Sequence, residues 1–186
     1  MNNSQGESIS AAPVQRILAA AMFAAEKHAP QKRKGAAAEP YINHLIEVAH
    51  LIAGSSERLD TNLVMAGFLH DTIEDTGTTE EELERAFGSD ISALVVEVTD
   101  DKSLPKEVRK ALQVENAPHK SVRAQVIKLA DKISNLRAIL ASPPVTWSEE
   151  RKREYIAWAH RVVSALSAPN PILKAEFDRT YAKLVG

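Results

Sequence analysis

Residues 121–141, SVRAQVIKLADKISNLRAILA, form the longest uninterrupted periodic segment of the chain. Val126, Leu129, Ile133, Leu136 and Ile139 or Leu140 recur at the spacing of one helical face, and Pro143 and Pro144 stop the pattern. Such a helix needs apolar partners, and the remaining segments offer helices rather than strands. Residues 12–28 place Ile17, Ala20, Ala21 and Ala24 on one stripe. Residues 42–53 predict a second helix stopped by Gly54, and residues 61–75 a third capped by Asp60 or Thr61. After Gly77 a short helix carries acids in its first turn and ends at Gly88, as the dipole and the cap both favour. SDISALVVEVTDD holds enough β-branched residues for a strand, but its neighbours are helical and helix is the choice made. Pro105 opens a further helix, and two more over about 148–166 and 171–184 close the chain. The fold class is all-α, an irregular multi-helix bundle with short loops.

At 186 residues the chain suits one domain, expected over 11–186, with residues 1–10 as a disordered tail. A composition of 44% hydrophobic and 26% charged residues is enough for an ordinary buried core. The net charge of -2 gives no global attraction to nucleic acid, so an anion site must be a local cluster of Lys and Arg. There is no cysteine, which excludes disulfides, thiolate zinc sites and a Cys nucleophile. MNNSQGESIS lacks the pattern of a signal peptide, and Gln15, Arg16 and Glu26 break the apolar run that follows well short of a membrane span. The expectation is a cytoplasmic protein with neither a nucleic-acid nor a membrane partner; nothing in the sequence fixes an oligomeric partner.

The chemistry concentrates in FLHDTIEDT, residues 68–76. His70, Asp71, Glu74 and Asp75 crowd against apolar Phe68 and Leu69, and such density costs desolvation free energy unless a cation compensates it. Adjacent ligands can flank one ion only if further ligands arrive from other helices. His44, at the start of an apolar helix, and Asp131, which interrupts VIKLADKISNL, are the candidates. Each has a plainer explanation. His44 suits a helix cap or a satisfied buried histidine, and Asp131 suits a surface pair with Lys128 or Lys132. Glu74 and Asp75 could be an acidic helix end, but negative charge at a helix C-terminus opposes the dipole, which favours a function. Two His and two Asp make a mixed nitrogen and oxygen set that suits manganese, iron or zinc better than magnesium or calcium.

The order His44, His70-Asp71, Asp131 resembles the H…HD…D signature of the HD-domain metal-dependent phosphohydrolases. The surrounding motifs, RKG, PYINH, FLHDTIEDT, VEVTDDKSLPK and KLADKISNL, resemble the hydrolase domain of RelA/SpoT proteins, and among these the stand-alone small alarmone hydrolases. The resemblance spans residues 15–185 or so. It implies an HD-domain fold and hydrolysis of the nucleotide ppGpp or pppGpp to GDP or GTP plus pyrophosphate, with one Mn²⁺ ion, zinc or iron being possible in its place. The metal ligands it implies are His44, His70, Asp71 and Asp131, and the catalytic acids are Glu74 and Asp75. Lys34, Lys106, Asn135, Arg151 and Tyr155 fall where related enzymes contact the substrate. Leu45 stands where many relatives have Pro, Ile73 where Val is commoner, and GAAAEP replaces a Gly-rich loop. No synthetase domain follows, so the expectation is a hydrolase without the opposing activity. The same site would serve an HD phosphohydrolase acting on NADPH 2′-phosphate or a nucleoside monophosphate. A nucleotide-sensing module without catalysis is the alternative of a different class, against which the intact acids weigh. Lys32, Arg33, Lys34, Lys102, Lys106, Arg109 and Arg151 supply candidate cations for the phosphates. His28, His50, His119 and His160 are read as structural or surface residues, Trp158 as core and Trp147 as a loop or cap contact.

Overall fold

The computed structural model describes residues 11–186; the tail expected over 1–10 lies outside the described residues. In chain order the helices are α1 (Ala11–Lys27), α2 (Ile42–Ala53), α3 (Thr61–Leu69), α4 (Thr72–Thr76) and α5 (Glu80–Phe87). They continue as α6 (Ser89–Val98), α7 (Lys106–Asn116), α8 (Val122–Ala141), α9 (Glu149–Ser164) and α10 (Pro171–Val185), with a 3-10 turn, Ala117–His119, before α8. The only extended pairings among the described residues are isolated bridges, Lys32 with Pro40 and Gly35 with Pro144. None of the described helices is long and apolar enough to cross a membrane.

Local chemistry sets most of the boundaries. Asp60, Thr79, Ser121, Ser148 and Asn170 each accept a backbone N–H in the first turn of the helix that follows. Such caps each contribute about 1 kcal/mol. Residues 89–98 are helical as expected: Ile91, Leu94, Val95 and Val98 fall on one buried face, an arrangement that a strand would split between two.

Helix α8 is the centre of the bundle, packing against α2, α3, α6, α9 and α10. Ile127, Leu129, Ala130, Ile133 and Leu136 are fully buried. Because neighbours surround its middle, two of its charged residues are buried too. Lys128 and Lys132 are only 8% and 3% exposed, so the surface pairing weighed for Asp131 does not occur. Asp131 does lie 3.0 Å from Lys132 Nζ, but the pair is inside the protein, and that ammonium also sits 4.4 Å from the ring centre of Trp158.

The sequence pattern also misses a break. Residues 61–75 are not one helix: α3 ends at Leu69 and α4 begins at Thr72. Side chains here take carbonyls that a continuing helix would have given to backbone N–H groups. His70 Nδ1 bonds the carbonyl of Gly67 at 2.8 Å and the Thr72 hydroxyl donates to that of Leu69 at 2.6 Å. Gly77, at φ 74, ends α4 in the left-handed region that glycine adopts without strain.

The segment between α1 and α2 is docked onto the end of α8 by close approach. A β-carbon on Gly35 would lie 2.3 Å from the backbone oxygen of Ser142, and Ala37 N–H bonds the Ser142 hydroxyl at 3.2 Å.

Candidate active site

His44 lies in the first turn of α2, His70 and Asp71 at the α3–α4 break, and Asp131 in the middle of α8. All four side chains converge. His44 Nε2 is 3.6 Å from Asp71 Oδ2 and 3.4 Å from Asp131 Oδ1. His70 Nε2 is 3.1 Å and 3.9 Å from the same two oxygens. Residues 70 and 71 both keep right-handed helical backbone angles and flank the point from neighbouring directions, while His44 and Asp131 reach it from other helices.

Both imidazoles present Nε2 for the same reason. The Ser134 hydroxyl gives its proton to Glu47 at 2.7 Å, so the 2.8 Å contact between His44 Nδ1 and Ser134 Oγ must be donated by the ring. His70 Nδ1 faces a carbonyl, which only accepts. Each Nε2 is buried and has no well-formed hydrogen bond, His70 Nε2 lying 3.1 Å from Asp71 Oδ2. Two orphaned nitrogens beside two carboxylates fit a divalent cation of mixed nitrogen and oxygen preference. His44, His70 and Asp131 offer ligand atoms all within 4.8 Å of one another. Asp71 is committed further, accepting a 2.6 Å bond from the Tyr41 hydroxyl.

Burial works to raise the Asp71 and Asp131 pKa values, yet both are held well below the usual carboxylate range. His70 is the main cause for Asp71, and Lys132 for Asp131. Both carboxylates therefore remain ionised acceptors.

Glu74 and Asp75 belong to the first turn of five-residue α4, not to the C-terminus of a long helix, so the dipole conflict expected there does not arise. Glu74 accepts the backbone N–H of Asp100 at 3.2 Å and lies 3.6 Å from Arg109. Burial, then the charges of Asp71 and Asp100, push its pKa above the ordinary glutamate value. Asp75 is ion-paired with Lys102 and accepts a bond from Gln31 Nε2 at 2.8 Å.

The expected substrate contacts divide into two groups. Lys106, Arg151 and Tyr155 line one cavity of about 190 Å³ with Lys110 and Trp147. Burial first, then Lys110, Arg151 and more weakly Lys34, lower the Lys106 pKa, as expected for a local cluster of positive charge on a nearly neutral protein. Arg151 stacks over Trp147 at 4.6 Å, and Tyr155 sits between Trp147 and Trp158 with ring centres 5.3 Å from each. Trp158, against which Tyr155 packs, also carries Lys132 Nζ 4.4 Å from its ring centre, and that ammonium lies 3.0 Å from Asp131. Burial raises the Tyr155 hydroxyl pKa to about 12, with Asp131 and Asp71 adding to the rise and Lys132 opposing it. Asn135 lies apart from that cavity, donating to Asp131 Oδ1 at 2.5 Å and accepting from Arg33 at 3.0 Å. Tyr41, Gln31, Ser134 and Glu47 were not singled out by the sequence. Only the position of Tyr41 within PYINH gave any signal, and the rest are ordinary polar residues on separate elements.

A helical bundle whose broken helix joins His44 and Asp131 around an His-Asp pair is the architecture of an HD-domain protein, and the family model described as HD domain matches residues 20–162. The chain belongs to the HD-domain family, and within it to the group of guanosine-3′,5′-bis(diphosphate) 3′-pyrophosphohydrolases called MESH1. It is 50% identical to the Xenopus tropicalis MESH1 over 165 residues, 89% of this chain and 92% of that one. Against the Homo sapiens MESH1 it is 50% identical over 155 residues, 83% and 87% of the two chains. It is also similar to a solved structure described as a metazoan ortholog of SpoT that hydrolyzes ppGpp. That match has a TM-score of 0.88 and 40% identity, over 96% of this chain and 98% of the other.

Proposed function

We propose that this chain hydrolyses guanosine 3′,5′-bis(diphosphate), releasing pyrophosphate from the 3′ position, and that residues 11–186 act as one unit in doing so. The reading rests on one observation above others: two buried imidazole nitrogens without hydrogen bonds face two ionised carboxylates, in a chain half identical to proteins named for that activity. His44, His70, Asp71 and Asp131 are the ligands of a single divalent cation, for which manganese is the best fit to the donor set and zinc or iron the competitors. Bound there, the cation supplies Lewis-acid polarisation of a phosphate oxygen and lowers the pKa of water.

The protein's own groups do the rest. Glu74, with its raised proton affinity, takes the proton of the attacking water. Asp75 orients that water. The water oxygen bonds to phosphorus, the bond from phosphorus to the 3′-oxygen breaks, and GDP leaves with that oxygen protonated by the proton Glu74 took from the water. Lys34, Lys106 and Arg151 offset the phosphate charge, while Tyr155 and Asn135 border the sugar and base.

Purified protein loaded in turn with Mn²⁺, Zn²⁺, Fe²⁺ or Mg²⁺ is offered ppGpp, NADPH and nucleoside monophosphates, with products resolved by ³¹P NMR. The expected result is equimolar GDP and pyrophosphate, fastest with Mn²⁺. Phosphate freed from NADPH or a monophosphate, with ppGpp untouched, overturns the choice of substrate. Glu74→Gln and Asp75→Asn should keep their metal and lose turnover; parental rates in both variants would remove those acids from the mechanism.

A further inference from the structure

We infer that His28 and Gln31 are positioning residues that hold the Asp75 carboxylate in its working orientation. The inference deepens the reading of Asp75 given above and depends on it. His28 lies just past the end of α1 and is 2% exposed. Its Nδ1 is 2.6 Å from Gln31 Oε1, and Gln31 Nε2 in turn donates to Asp75 Oδ2 at 2.8 Å.

The direction of every bond in this relay is forced from its far end. A carboxylate only accepts, so Gln31 must turn its NH₂ toward Asp75, and its carbonyl therefore faces His28. The ring must then carry its proton on Nδ1. That leaves Nε2 as a bare acceptor, and it is buried with no hydrogen-bond partner. A residue kept only for packing would not carry an unsatisfied nitrogen, since an apolar ring of similar size would fill the space without that penalty. The ring is retained for its Nδ1–H.

Its orientation is fixed from the side as well. His28 stacks on Tyr41 with ring centres 5.1 Å apart and planes 20° from parallel. The Tyr41 hydroxyl bonds Asp71, so one stacked pair steadies a metal-facing carboxylate directly and an acidic partner through Gln31. The Gln31 backbone is tied at both groups, its N–H to the His28 carbonyl at 2.9 Å and its carbonyl to Tyr41 N–H at 3.0 Å. The other oxygen of Asp75 is held by Lys102, a half-exposed cation. Gln31 is the half-buried arm and it is neutral, so it sets direction without adding positive charge to the group that must steer water.

The test compares Gln31→Glu, which keeps the shape but loses the donor, with His28→Phe, which keeps the stack but loses Nδ1–H, and with His28→Asn, whose amide can replace that donor. Each metal-loaded variant is assayed for kcat and KM on ppGpp and for melting temperature. The expected result is a kcat about ten- to a hundredfold lower in the first two, with KM little changed, as partners of working groups commonly show. His28→Asn should recover most of that loss. In an Asp75→Asn background, read in single turnovers with enzyme in excess, neither change should lower the rate further. A His28→Asn protein as slow as His28→Phe, or a loss carried by KM, overturns the relay, as does an unchanged kcat in Gln31→Glu. Imidazole ¹⁵N shifts give a second readout that needs no substrate. An Nδ1-protonated, Nε2-bare His28 supports the relay even in a protein that releases no pyrophosphate, and an Nε2-protonated ring refutes it, so the two readings fail separately.

Discussion

The cluster around His44 and Asp131 and the cationic cavity are built on opposite plans. In the first, the two imidazoles are buried and the two carboxylates half-buried, and each proposed ligand is held from behind: His44 by Ser134 and Glu47, His70 by the Gly67 carbonyl, Asp71 by Tyr41, Asp131 by Lys132 and Asn135. In the second, Lys106 and Arg151 are exposed at the starts of helices, and Arg151 rests on the face of Trp147. A cation of fixed radius needs donors that do not move, because stray geometry costs affinity directly. Flexible phosphates need charge that can follow them, and long solvated side chains provide it. The proposed function therefore assigns rigid chemistry to one region and adaptable grip to the other.

That contrast is sharpest at Asp131. Asp131→Ala removes a proposed ligand and strands the buried Lys132 ammonium, so the metal-free fold should lose about 3–5 kcal/mol in urea unfolding, and metal affinity should fall with it. Asp131→Asn should lose less, and an alanine variant as stable as the parent would mean that the pair is not buried as drawn. Ser134→Ala comes next. It leaves the ligands in place but removes the link from His44 to Glu47, and about ten- to a hundredfold of metal affinity should go with it in chelator competition.

Acidity probes the same rigidity. Burial works to remove the proton from His70, but Asp71 outweighs it and the metal-free ring keeps its proton up to about 9. A raised pKa means that binding a cation must expel that proton, so affinity should rise by about tenfold per pH unit below 9 and level off above it. A flat profile between pH 6.5 and 7.5 would show that Asp71 does not hold the proton. The smallest effect belongs to the exposed wall. Arg151→Ala should raise KM for ppGpp by about three- to tenfold, leave kcat nearly unchanged, and matter less as salt is added. A fall in kcat at constant KM would place Arg151 among the rigid parts and collapse the comparison.

The plan of the bundle was legible because it is written in periodicity. Residues 42–53, the Pro105 start and the long helix before Pro143 all appear where pattern and punctuation put them. The H…HD…D order was legible because those residues recur as a motif. The break after Leu69 was not, since the apolar pattern runs through it and only the competing bonds of His70 and Thr72 reveal it. Gln31, Ser134 and Glu47 were invisible for another reason. A hydrogen bond across 44, 87 or 90 positions of chain has no local spacing to betray it.

The missing side chain at Gly35 ties two remote stretches of polypeptide into one mechanical part. Arg33 and Lys34 sit on a strap fastened to the far end of the rod that bears Asp131. Any side chain at position 35 would push that stretch off the helix, and with it the Arg33 guanidinium that bonds Asn135 one turn from Asp131.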